Sequence, residues 1–163
     1  MRAIADQVGV AAPSVYLHFR NRDDIFRAAV LEEYSALAAA MSEAGRRGRT
    51  ARARLKAMGE AYCEFAMRHP GRYRLITEVQ QARSPRSSGH EGHPAEAAQR
   101  LLMQAIDDCG REGALHQLDR ELAFTCIWSG WHGYVELRRA KPMRDWPDPV
   151  RVVAEIVDGA MRR

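Results

Sequence analysis

Apolar residues recur along this chain three or four apart, the spacing of one helix face, and turn-forming residues punctuate the runs. Ile4, Ala5 and Val8 predict a short helix that Gly9 stops, because glycine enters the left-handed conformation after a helix without a Cβ penalty. A second run opens near Ala12, with Pro13 in the first turn where a missing N–H has no partner to lose, and closes at Phe19. Asn21 can cap a third helix, with Asp23 and Asp24 in its positive first turn. Ile25, Phe26, Ala29, Val30, Leu37, Ala38 and Met41 carry that helix from Arg22 to Ala44, on the order of 30 Å at about 1.5 Å per residue. Gly45 to Thr50 then breaks the pattern and divides the chain into 1–45 and 50–163.

Beyond the break, Leu55, Met58, Tyr62, Phe65, Ala66 and His69 predict a helix that Pro70 ends, and Tyr73, Leu75 and Ile76 a short one after it. Gln81 to Pro94 crowds Ser, Gly, Pro and Arg together without periodicity and is expected to be a mobile loop. Ala98, Leu101, Leu102, Ala105, Ile106 and Cys109 restore a helix over 95–112. Asp119 caps the next, which runs to Ala140, and Asp148 with Pro149 starts the last. The expected fold class is all-α.

The last two helices are apolar on more than one side. Leu122, Cys126, Ser129, Gly130, Gly133 and Leu137 form a small-residue face, while Phe124, Ile127, Trp128, Trp131 and Val135 form a bulky one. A helix apolar on opposite sides is buried on both, as a central element or at a subunit interface. Val150, Val153 and Val157 continue the excess on the final helix, with Val152 and Ile156 on a second strip. Homodimerisation is expected through Cys126, Ser129, Gly130, Gly133, Leu137, Val150, Val153 and Val157.

The second short helix carries the most unusual surface. At about 100° per residue, Val15 and Phe19 point one way and Pro13, Tyr16 and Leu17 the other, with Ser14 and His18 on a flank. A solvated face normally shows Lys, Glu or Gln; this one can touch base edges, thymine methyls and phosphates. Two short helices joined by a tight Gly-containing turn make a helix-turn-helix. The string AIADQVGVAAPSVYLHFRNRDDIFRAAV closely resembles the DNA-binding region of the tetracycline-repressor (TetR/AcrR-like) regulators. The resemblance implies a double-stranded DNA operator and a contact set of Arg2, Ala12, Pro13, Ser14, Tyr16, Leu17, His18 and Arg22. Within it, Pro13 and Tyr16 would approach bases, Ser14 and His18 phosphates, and Arg22 the backbone. In that family a further helix precedes the segment beginning here at Met1 and packs against Val8, Val15 and Phe19. The expectation is therefore a shortened form of a longer product, or a weakened binding module.

The body resembles the same family. HPGRYRLI and the Trp131-His132-Gly133 triplet are similar to strings in its effector domains, the triplet naming one subfamily. The resemblance raises a pocket for a small apolar or aromatic effector, bordered by Tyr62, Phe65, His69, Leu102, Ile106, Trp128, Trp131 and His132; core packing is the competing role for each.

Charge and chemistry narrow this further. The net charge of +4 permits a polyanionic partner without demanding one. Around the reading helices, Arg2, Arg20, Arg22 and Arg27 are offset by Asp6, Asp23 and Asp24. The most basic stretch is Arg46, Arg47, Arg49, Arg52, Arg54 and Lys56, read as a solvated linker ahead of a phosphate contact. Cys63, Cys109 and Cys126 are odd in number and lack CxxC spacing, which argues against a disulfide scaffold or zinc site and for a reducing, cytoplasmic setting. No apolar run approaches the roughly 20 residues that span a bilayer, so no membrane partner is expected. His90 and His93 lack the further ligands of a metal site, and no cofactor is expected. Asp107 and Asp108 lie about 100° apart on their helix and do not converge as an acid–base pair. With no nucleophile elbow, phosphate loop or Cys–His pairing, the chain is not expected to be an enzyme. The sequence thus leads to a homodimeric DNA-binding regulator, a repressor released by its ligand. The alternative is a ligand-binding or interaction protein that has lost operator binding.

Overall fold

The computed structural model of the chain describes residues 1–81, 94–113 and 120–161. Among them are eight helices and no strand: α1 (Arg2–Val8), α2 (Ala12–His18), α3 (Arg22–Gly45), α4 (Ala51–Arg68), α5 (Pro70–Gln81), α6 (Pro94–Arg111), α7 (Arg120–Ala140) and α8 (Pro149–Ala160). The fold is all-α. The expected loop over 81–94, with His90 and His93, and the Asp119 cap lie outside the described residues, apart from Gln81 and Pro94 at helix ends.

Local chemistry sets the helix ends. Gly9 sits at φ 71°, and the Val10 N–H closes back onto the Ala5 carbonyl at 3.0 Å. Asn21 Oδ1 accepts from the Asp24 N–H at 2.9 Å, Thr50 Oγ1 from Ala53 at 3.1 Å, and Asp148 Oδ1 from Val150 at 2.8 Å. Each satisfies an N–H that the first helical turn leaves without a partner.

The body is built around α4, which packs against α3, α5, α6, α7 and α8. Leu55 and Cys63 on it are fully buried. At Gly59 a Cβ would lie 2.5 Å from the Trp131 indole and 2.7 Å from Val153 Cγ1, so the glycine lets α7 and α8 close onto α4. Of the two expectations for α7, a central element or one at a subunit interface, the first is corrected: α4 is the central helix. The bulky face of α7, with Phe124, Ile127, Trp131 and Val135, is buried, whereas Leu122, Cys126, Ser129 and Leu137 are exposed.

The turn over 46–50 does interrupt the helices, but the core does not respect it. Leu37 and Met41 of α3 belong to the same apolar cluster as α4, so the packing boundary falls within α3. The reading of the basic stretch as solvated fits Arg46, Arg47 and Arg49, which are exposed, and is revised for the three residues on α4. Lys56 Nζ lies 2.8 Å from Asp158, Arg52 donates to the Met161 carbonyl at 3.1 Å, and Arg54 pairs with Asp108 and Glu112. Glu112 in turn accepts from the Ala51 N–H at 2.8 Å. These side chains lie on the first turns of α4 and tie it to the ends of α6 and α8.

Candidate functional site

Two features stand apart from the packed body. The first is α2. Pro13, Ser14, Tyr16, Leu17 and His18 are exposed, Ala12 is half-buried, and Val15 is the buried residue of α2, as Ala5 is of α1. Leu17 is 83% and the adjacent Tyr16 54% exposed. Val8 and Val10 are exposed as well. Arg2 and Arg22 are exposed, with the Arg22 guanidinium 5.1 Å from the Phe26 ring centre. Arg20 is taken up by Asp24 at 2.9 Å, and this pairing holds the Asp24 carboxyl below its ordinary range.

The second is a cavity of about 460 Å³ enclosed by α3 to α7. α3 contributes Tyr34, Leu37 and Met41; α4 Tyr62; α5 Tyr73, Ile76 and Thr77; α6 Ala98, Gln99 and Leu102; α7 Phe124, Trp128, Ser129, Trp131 and His132. This volume lies within the range of small-molecule sites, about 300–1,000 Å³. Its polar groups cluster. The Tyr62 and Tyr73 hydroxyls are 2.7 Å apart, Tyr73 is 2.6 Å from His132 Nδ1, and Tyr62 is 3.3 Å from the same nitrogen. Burial pushes the Tyr34 phenol up to about 12 and holds those of Tyr62 and Tyr73 well above the ordinary range.

Of the residues expected at an effector pocket, Tyr62, Leu102, Trp128, Trp131 and His132 line this cavity. Phe65, His69 and Ile106 do not, and those assignments are corrected. Phe65 is buried between His69, with ring centres 5.7 Å apart, and Arg72; His69 is exposed at the end of α4; Ile106 is fully buried in the core. They share the apolar stripes of α4 and α6, but a stripe wider than the cavity mouth also faces other helices. The walls missed by sequence reasoning are those of α3 and α5. Tyr34, Leu37 and Met41 are spaced three and four apart, a stripe that could have been read.

The expected dimer residues separate in the same way. Cys126, Ser129, Leu137 and Val150 are exposed, and a Cβ at Gly133 would meet nothing within 4 Å. Val153 and Val157 are fully buried within their own chain, and Gly130 is covered by Ile156, so these three are corrected from interface to intrachain packing. Ser129 lines the cavity besides.

Residues 55–160 match the model of the tetracyclin repressor-like C-terminal domain, and residues 1–29 that of bacterial regulatory proteins of the tetR family. The chain belongs to the TetR family. An uncharacterized HTH-type transcriptional regulator of Mycobacterium tuberculosis is 28% identical over 148 residues. That alignment covers 89% of this chain, which spans 63% of the length of that relative. Solved TetR-family structures share the fold. A bacterial regulatory protein of the tetR family from Rhodococcus RHA1 superposes with a TM-score of 0.72 at 22% identity, covering 98% of this chain and 83% of that one. The TetR family regulator PfmR of Thermus thermophilus does so at 0.73 and 16%, covering 99% and 88%. A protein of unknown function from Rhodococcus sp. RHA1 reaches 0.82 at 22% identity, covering 99% and 84%. Among the described residues no helix is long and apolar enough to cross a membrane.

Proposed function

We propose that this TetR-family chain is a DNA-binding transcriptional regulator that acts as a homodimer, and that it represses from an operator it leaves when a small apolar or aromatic ligand enters the cavity. The observation that carries this reading is the double duty of α3. Its first turn follows α2 directly, while Tyr34, Leu37 and Met41 further along wall the cavity. A ligand that favours one placement of α3 biases the placement of α2, by no more than its differential affinity for the two states. Exposed Leu122, Cys126, Leu137 and Val150 on α7 and α8 supply the surface for the second copy.

Selection of duplexes from a random DNA library tests it: a palindromic sequence is expected to enrich. On that sequence Tyr16→Ala is expected to lose about 1–3 kcal/mol of discrimination, whereas Arg22→Ala weakens specific and random DNA alike and reduces the salt slope by about one. Equal losses for Tyr16→Ala on both DNAs would remove it from the readers. Failure to enrich any duplex, with cavity ligands still bound, would favour a ligand-binding protein without operator recognition.

A further inference from the structure

The cavity is chemically lopsided. Trp128, Ser129 and Gln99 at its rim are exposed, while Tyr62, Tyr73 and Trp131 on its inner wall are buried. No Asp, Glu, Lys or Arg among the described residues lines it. An ionised ligand would lose its water there with no opposite charge on the lining itself; Glu136, whose carboxylate acts on Tyr73, lies outside that lining.

The inner polar cluster can be counted proton by proton. Both phenols keep their protons, since burial opposes the phenolate, and a neutral imidazole carries one N–H. Three donors are present, and the two short contacts, Tyr62 to Tyr73 and Tyr73 to His132 Nδ1, use two. If Nδ1 accepts, Tyr73 donates to it, Tyr62 donates to Tyr73, and the imidazole Nε2–H is spare. If Nδ1 carries the proton, it donates to Tyr73, Tyr73 donates to Tyr62, and the Tyr62 O–H is spare. Either tautomer leaves one donor over. Trp131 adds apolar wall and no donor to the count: its Nε1 is buried, the neighbouring Cε2 lies on the Gly59 side, and its ring centre is 6.0 Å from that of Tyr62. Thr77 adds none, because its hydroxyl donates to the Tyr73 carbonyl at 3.2 Å.

We infer that the ligand of this cavity is an uncharged, largely aromatic or hydrocarbon molecule whose polar end is a hydrogen-bond acceptor, a carbonyl or ether oxygen, held at the Tyr62, Tyr73 and His132 end. The inference rests on the reading of the cavity as the effector site. A carbonyl or ether oxygen accepts and brings no proton of its own, which suits a wall with one spare donor.

Four probes of one shape test it: naphthalene, 2-acetylnaphthalene, 2-naphthoate and 2-naphthylmethylammonium, titrated into the full chain and followed by tryptophan emission and melting temperature. The ketone is expected to bind about 3–10-fold more tightly than naphthalene, the net worth of one hydrogen bond, and at least about 10-fold more tightly than either ion. Combining Tyr62→Phe, Tyr73→Phe and His132→Phe removes all three donors of the cluster, since the Tyr73 O–H would be freed if only its two partners were changed, and is expected to shrink the ketone's advantage over naphthalene. The infrared carbonyl stretch of bound 2-acetylnaphthalene, expected below its frequency in hexane, reads the hydrogen bond without any substitution. A charged probe that binds as well as the ketone, a ketone no tighter than naphthalene, or an unshifted carbonyl stretch overturns the inference and leaves the cavity as a ligand site. Failure of all four to bind overturns the cavity reading as well.

Discussion

At Gly59 the absence of a side chain decides how closely three helices approach. The Trp131 indole and Val153 that a new Cβ would strike are 1% and 0% exposed, so neither can swing aside into solvent. Gly59→Ala is therefore expected to destabilise the fold by about 1–3 kcal/mol, although the same change on an open helix face would gain up to about 1 kcal/mol from propensity. A denaturant melt checks the sign, and a variant as stable as the parent would mean that α7 and α8 yield. Nothing in the stripe from Leu55 to His69 announces this contact except the presence of a poor helix former inside it. Gly9 was legible by contrast, because the turn it serves is made by its immediate neighbours. The cysteines divide by the same logic of surroundings. Burial pushes the Cys63 thiol up to about 12 and Cys109 to about 11, while Cys126 is exposed. Iodoacetamide at pH 8 is expected to label Cys63 and Cys109 only after unfolding, and Cys126 in the folded subunit, more slowly at concentrations where a second copy covers it, as peptide mass spectrometry would show.

Among the helices, those whose ends are set locally were readable: Asn21, Thr50, Pro70 and Asp148 each stand within three residues of the boundary they create. Which surface an apolar stripe meets was not readable, because the pattern on α8 is the same whether a helix of its own chain or of a second copy covers it. The structure separates the cases. Val153 and Val157 face inward at 0% exposure, while Val150 is 51% exposed, and on α7 the open stripe runs from Leu122 to Leu137. This separation makes a clean experiment possible. A side chain at Gly133 has open space in the single chain, so Gly133→Leu is expected to leave the folded subunit near its original stability while weakening self-association. Val153→Ala, a cavity-forming change in the core, is expected to cost about 1–3 kcal/mol and to leave the intrinsic association of folded subunits unchanged. Sedimentation at several concentrations beside a denaturant melt distinguishes them. A wild-type chain that stays monomeric at micromolar concentration would leave the α7 stripe without the partner proposed for it.

Taken as a whole, the molecule buries its weak acids protonated, and this sets its behaviour in alkali. Cys63, Cys109 and Tyr34 all have folded values raised by burial, to about 12, 11 and 12. The unfolded chain releases these protons first, so stability is intact below about pH 9 and falls as pH rises from there toward 12. Melting temperature is expected to decline above pH 9, and less steeply in the combined Cys63→Ala and Cys109→Ala variant than in the parent. The same body that keeps these groups dry also includes the helix that leads from the cavity to α2. Tyr34, Leu37 and Met41 lie on the helix whose first turn adjoins α2, so under the proposed function an occupied cavity and a bound operator would compete for the position of α3. Competition of this kind is reciprocal: if 2-acetylnaphthalene lowers operator affinity by some factor, saturating operator must lower affinity for the ketone by that same factor. The coupling is expected at about 5–150-fold, corresponding to about 1–3 kcal/mol. Leu37→Ala, which enlarges the cavity on the α3 side, is expected to reduce the coupling more than the ketone's affinity, because it loosens the contact through which α3 registers the ligand. Titrations of operator with and without ketone, and of ketone with and without operator, supply both factors. Tight ketone binding with no change in operator affinity would show that α3 does not carry the signal.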